Sequence, residues 1–324
     1  MSKLTTIKQP IRKEMADFQV FFKTTMKSTT PLLDIITRFI LRTKGKQMRP
    51  MLVFLSAGMH GKINDSTHHA AALIELMHTA TLTHDDVVDD SNFRRGFFSI
   101  NALWKNKIAV LIGDYLLARG LLLSVRHQQY RLLEVVSKAV DEMSQGELLQ
   151  IEKARKLNID EEIYFKIIEQ KTAALIAACV KAGAISVKAP DHTVDAMEQF
   201  GLNLGMAFQI KDDLFDYEPN GLTGKPSGND IKEKKMTLPL IHVKNLLSPK
   251  ERRQVLRLIK KRRKSRNDVL NLINMVEKHG GITYAREKME AFKNAALDIL
   301  KQFPDSEYKN SLSEIVEYTV SRKK

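Results

Sequence analysis

The chain has 324 residues, 43% of them hydrophobic and 28% charged, with a formal net charge of +14. That length and apolar fraction support a large buried core, and the positive excess favours anionic partners such as diphosphates, membranes or nucleic acid. One cysteine, Cys179, excludes an intrachain disulfide and a cysteine-built metal cluster, and fits a reducing compartment.

In chain order, the stretch from Met1 to Pro10 lacks the apolar core of a signal peptide, so a soluble, cytoplasmic protein is expected. Gly45-Lys46-Gln47-Met48-Arg49-Pro50 follows, its proline punctuating a helix. Helical periodicity then runs from Ala70 to Asp90 and ends in Asp85-Asp86-Val87-Val88-Asp89. Residues four apart share a helix face, so Asp85 stands over Asp89 with Asp86 about 100° round. Stacked carboxylates repel and raise one another's pKa, and a hard, oxygen-seeking cation such as magnesium relieves both effects. A lone motif of this kind is as well explained by a solvated helix face. Here the pattern recurs 127 residues on as Asp212-Asp213-Leu214-Phe215-Asp216, again in apolar helical surroundings.

Cations flank both acidic clusters. Arg94-Arg95-Gly96 follows the first, which reads either as pairing with the aspartates or, together with Lys46 and Arg49, as a phosphate site. Further helices are predicted over Ile108 to Val125, Leu132 to Lys153, Glu161 to Val187 and Val194 to Tyr217. Asp114 and Arg119 interrupt the first of these, which argues against a membrane span. Lys171-Thr172 sits at the edge of an apolar helix, where the lysine either snorkels or stabilises charge. From Tyr217 to Lys235 three glycines and two prolines break the helix, giving a lysine-bearing loop placed to close over phosphates. Lys250 to Arg266 carries ten basic residues against Glu251, with an apolar strip of Val255, Leu256, Leu258 and Ile259. That segment reads as a solvated helix or as a peripheral contact with anionic lipid. Pro190-Asp191 opens one late helix and Gly280-Gly281 separates two others. No composition break divides the chain, so one all-α domain over residues 1–324 is expected.

Together these residues resemble the trans-isoprenyl diphosphate synthases, also called the polyprenyl synthetase family, across most of the chain. The resemblance implies a helical bundle around a central cavity. It also implies a magnesium-dependent prenyltransferase that condenses isopentenyl diphosphate with an allylic diphosphate such as farnesyl diphosphate, and a homodimer. Carried over residue by residue, Asp85, Asp86, Asp89, Asp212, Asp213 and Asp216 match the metal-binding motifs and Arg94 the allylic diphosphate ligand. Lys46, Arg49, His78 and Arg95 look like the isopentenyl diphosphate site. Lys171, Thr172 and Gln209 resemble the groups that steady the developing cation, and Lys225 and Lys235 the lysines of the closing loop. A departure is Glu233-Lys234-Lys235, where the family often has Glu-Gly-Lys.

In the family, bulk four or five residues before the first motif accompanies short products. Here those positions are Thr81 and Ala80, so a long-chain product, roughly hexaprenyl to nonaprenyl, is expected, with Met77, Leu76 and Leu73 as candidate walls or plain core residues one helix turn of about 5.4 Å after another. His84 is read as a candidate base or a packing residue. Four rivals stand beside this reading. A short-chain synthase would need its floor on another helix, and a terpene cyclase would need a different second motif. A di-iron bundle would need a second Glu-x-x-His besides Glu75-Leu76-Met77-His78. A non-catalytic partner subunit would be expected to have lost ligands that are all present here. Nucleic-acid binding is disfavoured because no recognition motif accompanies the charge.

Overall fold

The computed structural model describes residues 3–322 apart from 44, 95, 157–158, 219–227 and 262, and gives backbone alone at 94, 155 and 156. The fold is all-α. In chain order the helices are α1 (Lys3–Ile7), α2 (Arg12–Met26), α3 (Pro31–Arg42), α4 (Met48–His60), α5 (Asp65–Val88), α6 (Ile100–Arg126), α7 (Tyr130–Lys156) and α8 (Glu161–Ile168). They continue as α9 (Ala174–Ser186), α10 (Asp191–Leu214), α11 (Asn229–Lys232), α12 (Leu238–Leu246), α13 (Pro249–Lys260), α14 (Arg266–Lys278), α15 (Gly281–Lys301) and α16 (Glu307–Ser321). Between α5 and α6 lies a small hairpin, β1 (Phe93–Arg94) paired antiparallel with β2 (Phe97–Phe98), which helical periodicity did not foretell.

The chain divides into two compact units. One comprises Met1–Val140, Ala178–Glu198 and Pro304–Leu312. Its spine is α5, apolar on nearly every side and therefore buried nearly all round. Leu73, Ile74 and Leu76 are essentially inaccessible, each contributing roughly 1.5–3 kcal/mol by burial. Asn64 starts the helix by accepting the Ser66 amide at 2.8 Å, while Thr67 reciprocates as the second half of a capping box, an arrangement of about 1 kcal/mol. Helix α6 packs along α5, and a side chain at Gly113 would collide with the His84 ring. Among the described residues α6 is the one helix long and apolar enough to cross a membrane by length and composition. Its inner face packs on α5, its outer face leaves Leu111, Leu121, Leu122 and Val125 exposed, and Arg119 is tied to α2 by a hydrogen bond to the Thr25 carbonyl at 3.0 Å.

The other unit comprises Asp141–Ala177, Gln199–Phe303 and Ser313–Lys324. Its core gathers Ile168, Ala207, Ile210, Leu238, Ile241, Leu272 and Val276 from helices far apart in sequence. The single helix predicted over Glu161 to Val187 is observed as α8, a five-residue π-helical turn over Glu169–Ala173, and α9. Gly280 adopts φ +76 and caps α15, matching the break expected there.

Candidate active site

Both aspartate motifs lie where long helices end. Asp85 and Asp86 occupy the last turn of α5, and Asp89 is its cap, its amide bonded to the Asp85 carbonyl at 2.8 Å. Asp212 and Asp213 occupy the last turn of α10, with Asp216 just beyond it. The negative end of a helix macrodipole is the wrong place for an anion. Two carboxylate pairs at two such ends therefore make strongly cation-seeking sites, a placement that the motif spacing alone did not reveal.

In the first unit a cleft opens beside α5, where Glu75, His78, Thr79, Thr83 and Asp86 share a face with Gln47. Gln47 sits at φ +54 as the cap of α4, with Lys46 before it and Arg49 in the first helical turn. Pro50 is tolerated there because first-turn amides have no intrahelical partner. His78 is buried, Arg49 half-buried and Lys46 exposed. Arg49 and Glu75 both act electrostatically on Cys179, whose burial pushes its thiol pKa up to about 12 and leaves it unreactive. Phe97 and Phe98 form the apolar rim of the cleft, each more than half exposed. His84 bonds the Val110 carbonyl at 3.2 Å and approaches Asp114, so it serves the α5–α6 contact.

The tail-lining expectation gains detail on the opposite side of α5. Ala80 is fully buried, Thr81 is half-buried with its hydroxyl on the His78 carbonyl at 2.9 Å, and Met77 and Leu73 close on Gly120 of α6. A Cβ on Gly120 would sit 3.4 Å from the Met77 sulfur and 3.2 Å from Leu73 Cδ1, so these two helices leave no passage there.

In the second unit the three aspartates have different surroundings. Asp212, with 41% of its side chain exposed, pairs with Arg322 at 2.5 Å. Arg322 in turn stacks over Phe208 at 4.1 Å. Asp213 is buried and accepts hydrogen bonds from Tyr164 Oη at 2.8 Å and Gln209 Nε2 at 2.9 Å. Gln209 Oε1 accepts from Thr172 Oγ1 at 2.8 Å, so Thr172, Gln209, Asp213 and Tyr164 form one chain. Asp216 is buried and accepts the backbone amide of Asp230. Lys235 pairs with Glu233 at 2.8 Å and with Asp230 at 3.5 Å. Lys171, on the π-helical turn, pairs with Glu147 and reaches Gln150 at 3.4 Å. Sequence reasoning missed Tyr164, Glu147 and Arg322, whose partners are distant in the chain. Arg95 and Lys225 lie outside the described residues, as do the side chain of Arg94 and the 219–227 stretch of the expected closing loop.

Burial pushes the Asp213 carboxyl up to about 7, against the pull of its two hydrogen bonds and with help from Asp230 and Asp212. Burial and then Asp216 raise Asp230 in the same way. A carboxyl whose folded pKa exceeds its unfolded value binds more protons in the native state, so stability falls as pH rises from about 4 to 7. In EDTA, Asp213→Asn should therefore unfold at higher temperature than the parent at pH 8, by roughly 2–4 kcal/mol, and the difference should vanish near pH 4. Thermal unfolding followed by circular dichroism across that range checks it; a variant less stable at pH 8 would show that the charge is not a burden.

Among the described residues no three acidic or histidine side chains converge tightly enough to hold a metal by themselves. Magnesium takes one or two carboxylates and completes its shell with water and phosphate oxygens. The carboxylate oxygens of Asp85 and Asp89 in one unit, and of Asp212 in the other, each fit that requirement.

The profile of the polyprenyl synthetase family matches residues 30–276. Octaprenyl diphosphate synthase of Escherichia coli (strain K12) is 32% identical over 320 residues, covering 98% of this chain and 99% of that protein. A decaprenyl diphosphate synthase structure from Rhodobacter capsulatus superposes with a TM-score of 0.92 at 35% identity over 98% of each chain. A polyprenyl synthase from Caulobacter crescentus CB15, complexed with calcium and isoprenyl diphosphate, gives 0.89 at 32% identity over 98% of each chain.

Proposed function

We propose, because this chain belongs to the polyprenyl synthetase family, that it is an all-trans polyprenyl diphosphate synthase, a prenyltransferase that adds isopentenyl units to an allylic diphosphate to give a long-chain product. The observation that carries the reading is the pair of aspartate motifs, each at the negative end of a long helix. Asp85, Asp86 and Asp89 with Asp212, Asp213 and Asp216 would hold divalent cations, and magnesium is the natural choice for carboxylate and diphosphate oxygens. Bound there, magnesium would neutralise charge building on the departing diphosphate.

The remaining work falls to the chain's own groups. Lys46, Arg49 and His78, beside the cleft, would fix the diphosphate of the isopentenyl substrate, and Arg94 and Arg95 would join them at the hairpin. Lys171, Thr172 and Gln209 would present an ammonium, a hydroxyl and an amide oxygen to the reacting carbons and leaving oxygen, stabilising the charge-separated transition state more than the ground state. Lys225 and Lys235 would close over the phosphates and exclude water. Asp213 is held from two sides by Tyr164 and Gln209, and Asp212 by Arg322. Loss of a proton from the condensed cation, with the released diphosphate as acceptor, completes each five-carbon extension. Residues 1–324 act as one catalytic domain in this reading. A cytoplasmic homodimer is the proposed assembly, supported by the exposed Leu111, Leu121, Leu122 and Val125 on α6.

The test is incubation with radiolabelled isopentenyl diphosphate, farnesyl diphosphate and magnesium, then chromatographic sizing of the dephosphorylated products. A ladder reaching hexaprenyl or longer is expected; a folded protein that incorporates no label would be a partner subunit instead.

A further inference from the structure

We propose that the basic face of α13 and the α13–α14 connection docks on an anionic lipid bilayer, the phase that must receive a long prenyl product. The choice of a bilayer rests on the reaction proposed above, whereas the docking face is read from charge and packing.

Helix α13 is held in place by ordinary means. Ser248 and Glu251 form its capping box, Val255 and Ile259 are buried in the unit core, and Leu256 and Leu258 are partly buried against it. The apolar strip is thus consumed by the protein itself, and the charge that α13 turns to solvent is cationic apart from Glu251. Lys250, Arg252, Arg253, Arg257 and Lys260 are exposed on the helix, and Lys261, Arg263 and Arg266 continue the face beyond it.

Among the described residues, internal compensation is sparse. Lys261 pairs with Asp268 at 2.6 Å, and Glu251 is engaged by Ser248. Arg252 and Arg253 donate to the backbone carbonyls of Lys244 and Pro249 at 3.0 and 3.1 Å, which orients their guanidinium groups without neutralising them. The face also extends toward the second aspartate motif: Lys264 donates to the Lys232 carbonyl at 3.3 Å, and its ammonium feels the like charge of Lys234. Such crowding repels itself and is relieved by a surface bearing many anions.

A bilayer fits better than other anions. A single diphosphate needs converging cations, and these side chains radiate from one helix. Sequence-reading of nucleic acid needs a recognition element or stacking aromatics, and among the described residues this segment, Lys250 to Arg266, contains no aromatic side chain. With the apolar strip already buried, attachment is electrostatic adsorption, worth roughly fivefold in affinity per basic residue near an anionic surface.

The experiment is co-sedimentation of the full-length protein with vesicles of phosphatidylcholine alone or with about one-third phosphatidylglycerol, compared with R253Q/R257Q/K260Q/R263Q. Binding only to the anionic vesicles at 0.1 M salt, release as the screening length falls toward about 3 Å at 1 M salt, and at least roughly hundredfold weaker binding by the variant are expected. Equal sedimentation of parent and variant, absence of binding by the parent, or tighter binding to duplex DNA than to the vesicles would overturn the proposal. Product ladders made in detergent micelles, run in parallel, separate the two readings. An unchanged ladder without vesicle binding faults the docking face, and vesicle binding without any ladder faults the enzymatic assignment.

Discussion

Asp85→Ala and Asp212→Ala should each lower prenyl transfer by roughly a thousandfold or more, the equivalent of about 4 kcal/mol of transition-state stabilisation. The expectation follows from position as much as from charge. Each residue sits in the last turn of its helix, the end of the macrodipole that disfavours negative charge. Asp212 is 41% exposed and its pair with Arg322 is solvent-screened, an interaction of less than about 1 kcal/mol. Both variants should therefore melt within a few degrees of the parent. Activity assays across a magnesium titration, with unfolding curves on the same samples, separate the alternatives. Full-rate synthesis in both variants would remove the metal assignment, and collapse of the fold in either would make these residues structural.

Thr81→Phe should stop the ladder at the geranylgeranyl stage. Thr81 lies one turn, about 5.4 Å, below Asp85, and it is half-buried, whereas Ala80 has no exposed surface and would resist an aromatic ring by overpacking. Met77→Ala should act in the opposite sense, because Met77 and Leu73 seal the approach to Gly120 two and three turns down. Sizing of dephosphorylated products from both variants checks the pair. Identical ladders would place the tail elsewhere, with the face of α5 that carries Glu75, His78 and Thr79 as the next path to test.

Much of this site was legible in the sequence because its chemistry is local. Carboxylates four apart, a lysine and an arginine three apart ahead of a proline, and long apolar periodicities are all properties of a single helix or turn, so they survive without tertiary information. The bounds of the other long helical segments hold to within five residues, whereas α6 begins eight residues before its predicted start at Ile108, ahead of a non-helical Lys105 that hides its first turn; the all-α class followed. What stayed hidden is long-range. Tyr164 meets Asp213 across 49 residues and Arg322 meets Asp212 across 110, and in neither case does the local pattern mark the partner. The three aspartates of the second motif looked equivalent, yet burial separates them: Asp212 is half-open, while Asp213 and Asp216 are committed to bonds inside the protein. The apolar strip of the basic segment was also ambiguous, since residues such as Val255 and Ile259 fit a core or a lipid surface equally until packing decides.

The π-helical turn over Glu169–Ala173 carries a consequence for how this chain tolerates length changes. A wide turn of this kind accommodates one residue more than an α-helix of the same rise, and it is pinned on two sides: a side chain on Gly146 of α7 would strike Gln170, and one on Gly205 of α10 would strike Ala173. Losing a single residue between Glu169 and Ala173 would mend the helix, not break it. The mended helix would turn everything on one side of the lesion by about 100° against the other. Lys171 and Thr172 would then leave Glu147 and Gln209, and the buried residues on the turned side, Tyr164 and Ile168 before the turn or Ala174 and Leu175 after it, would leave their packing with them.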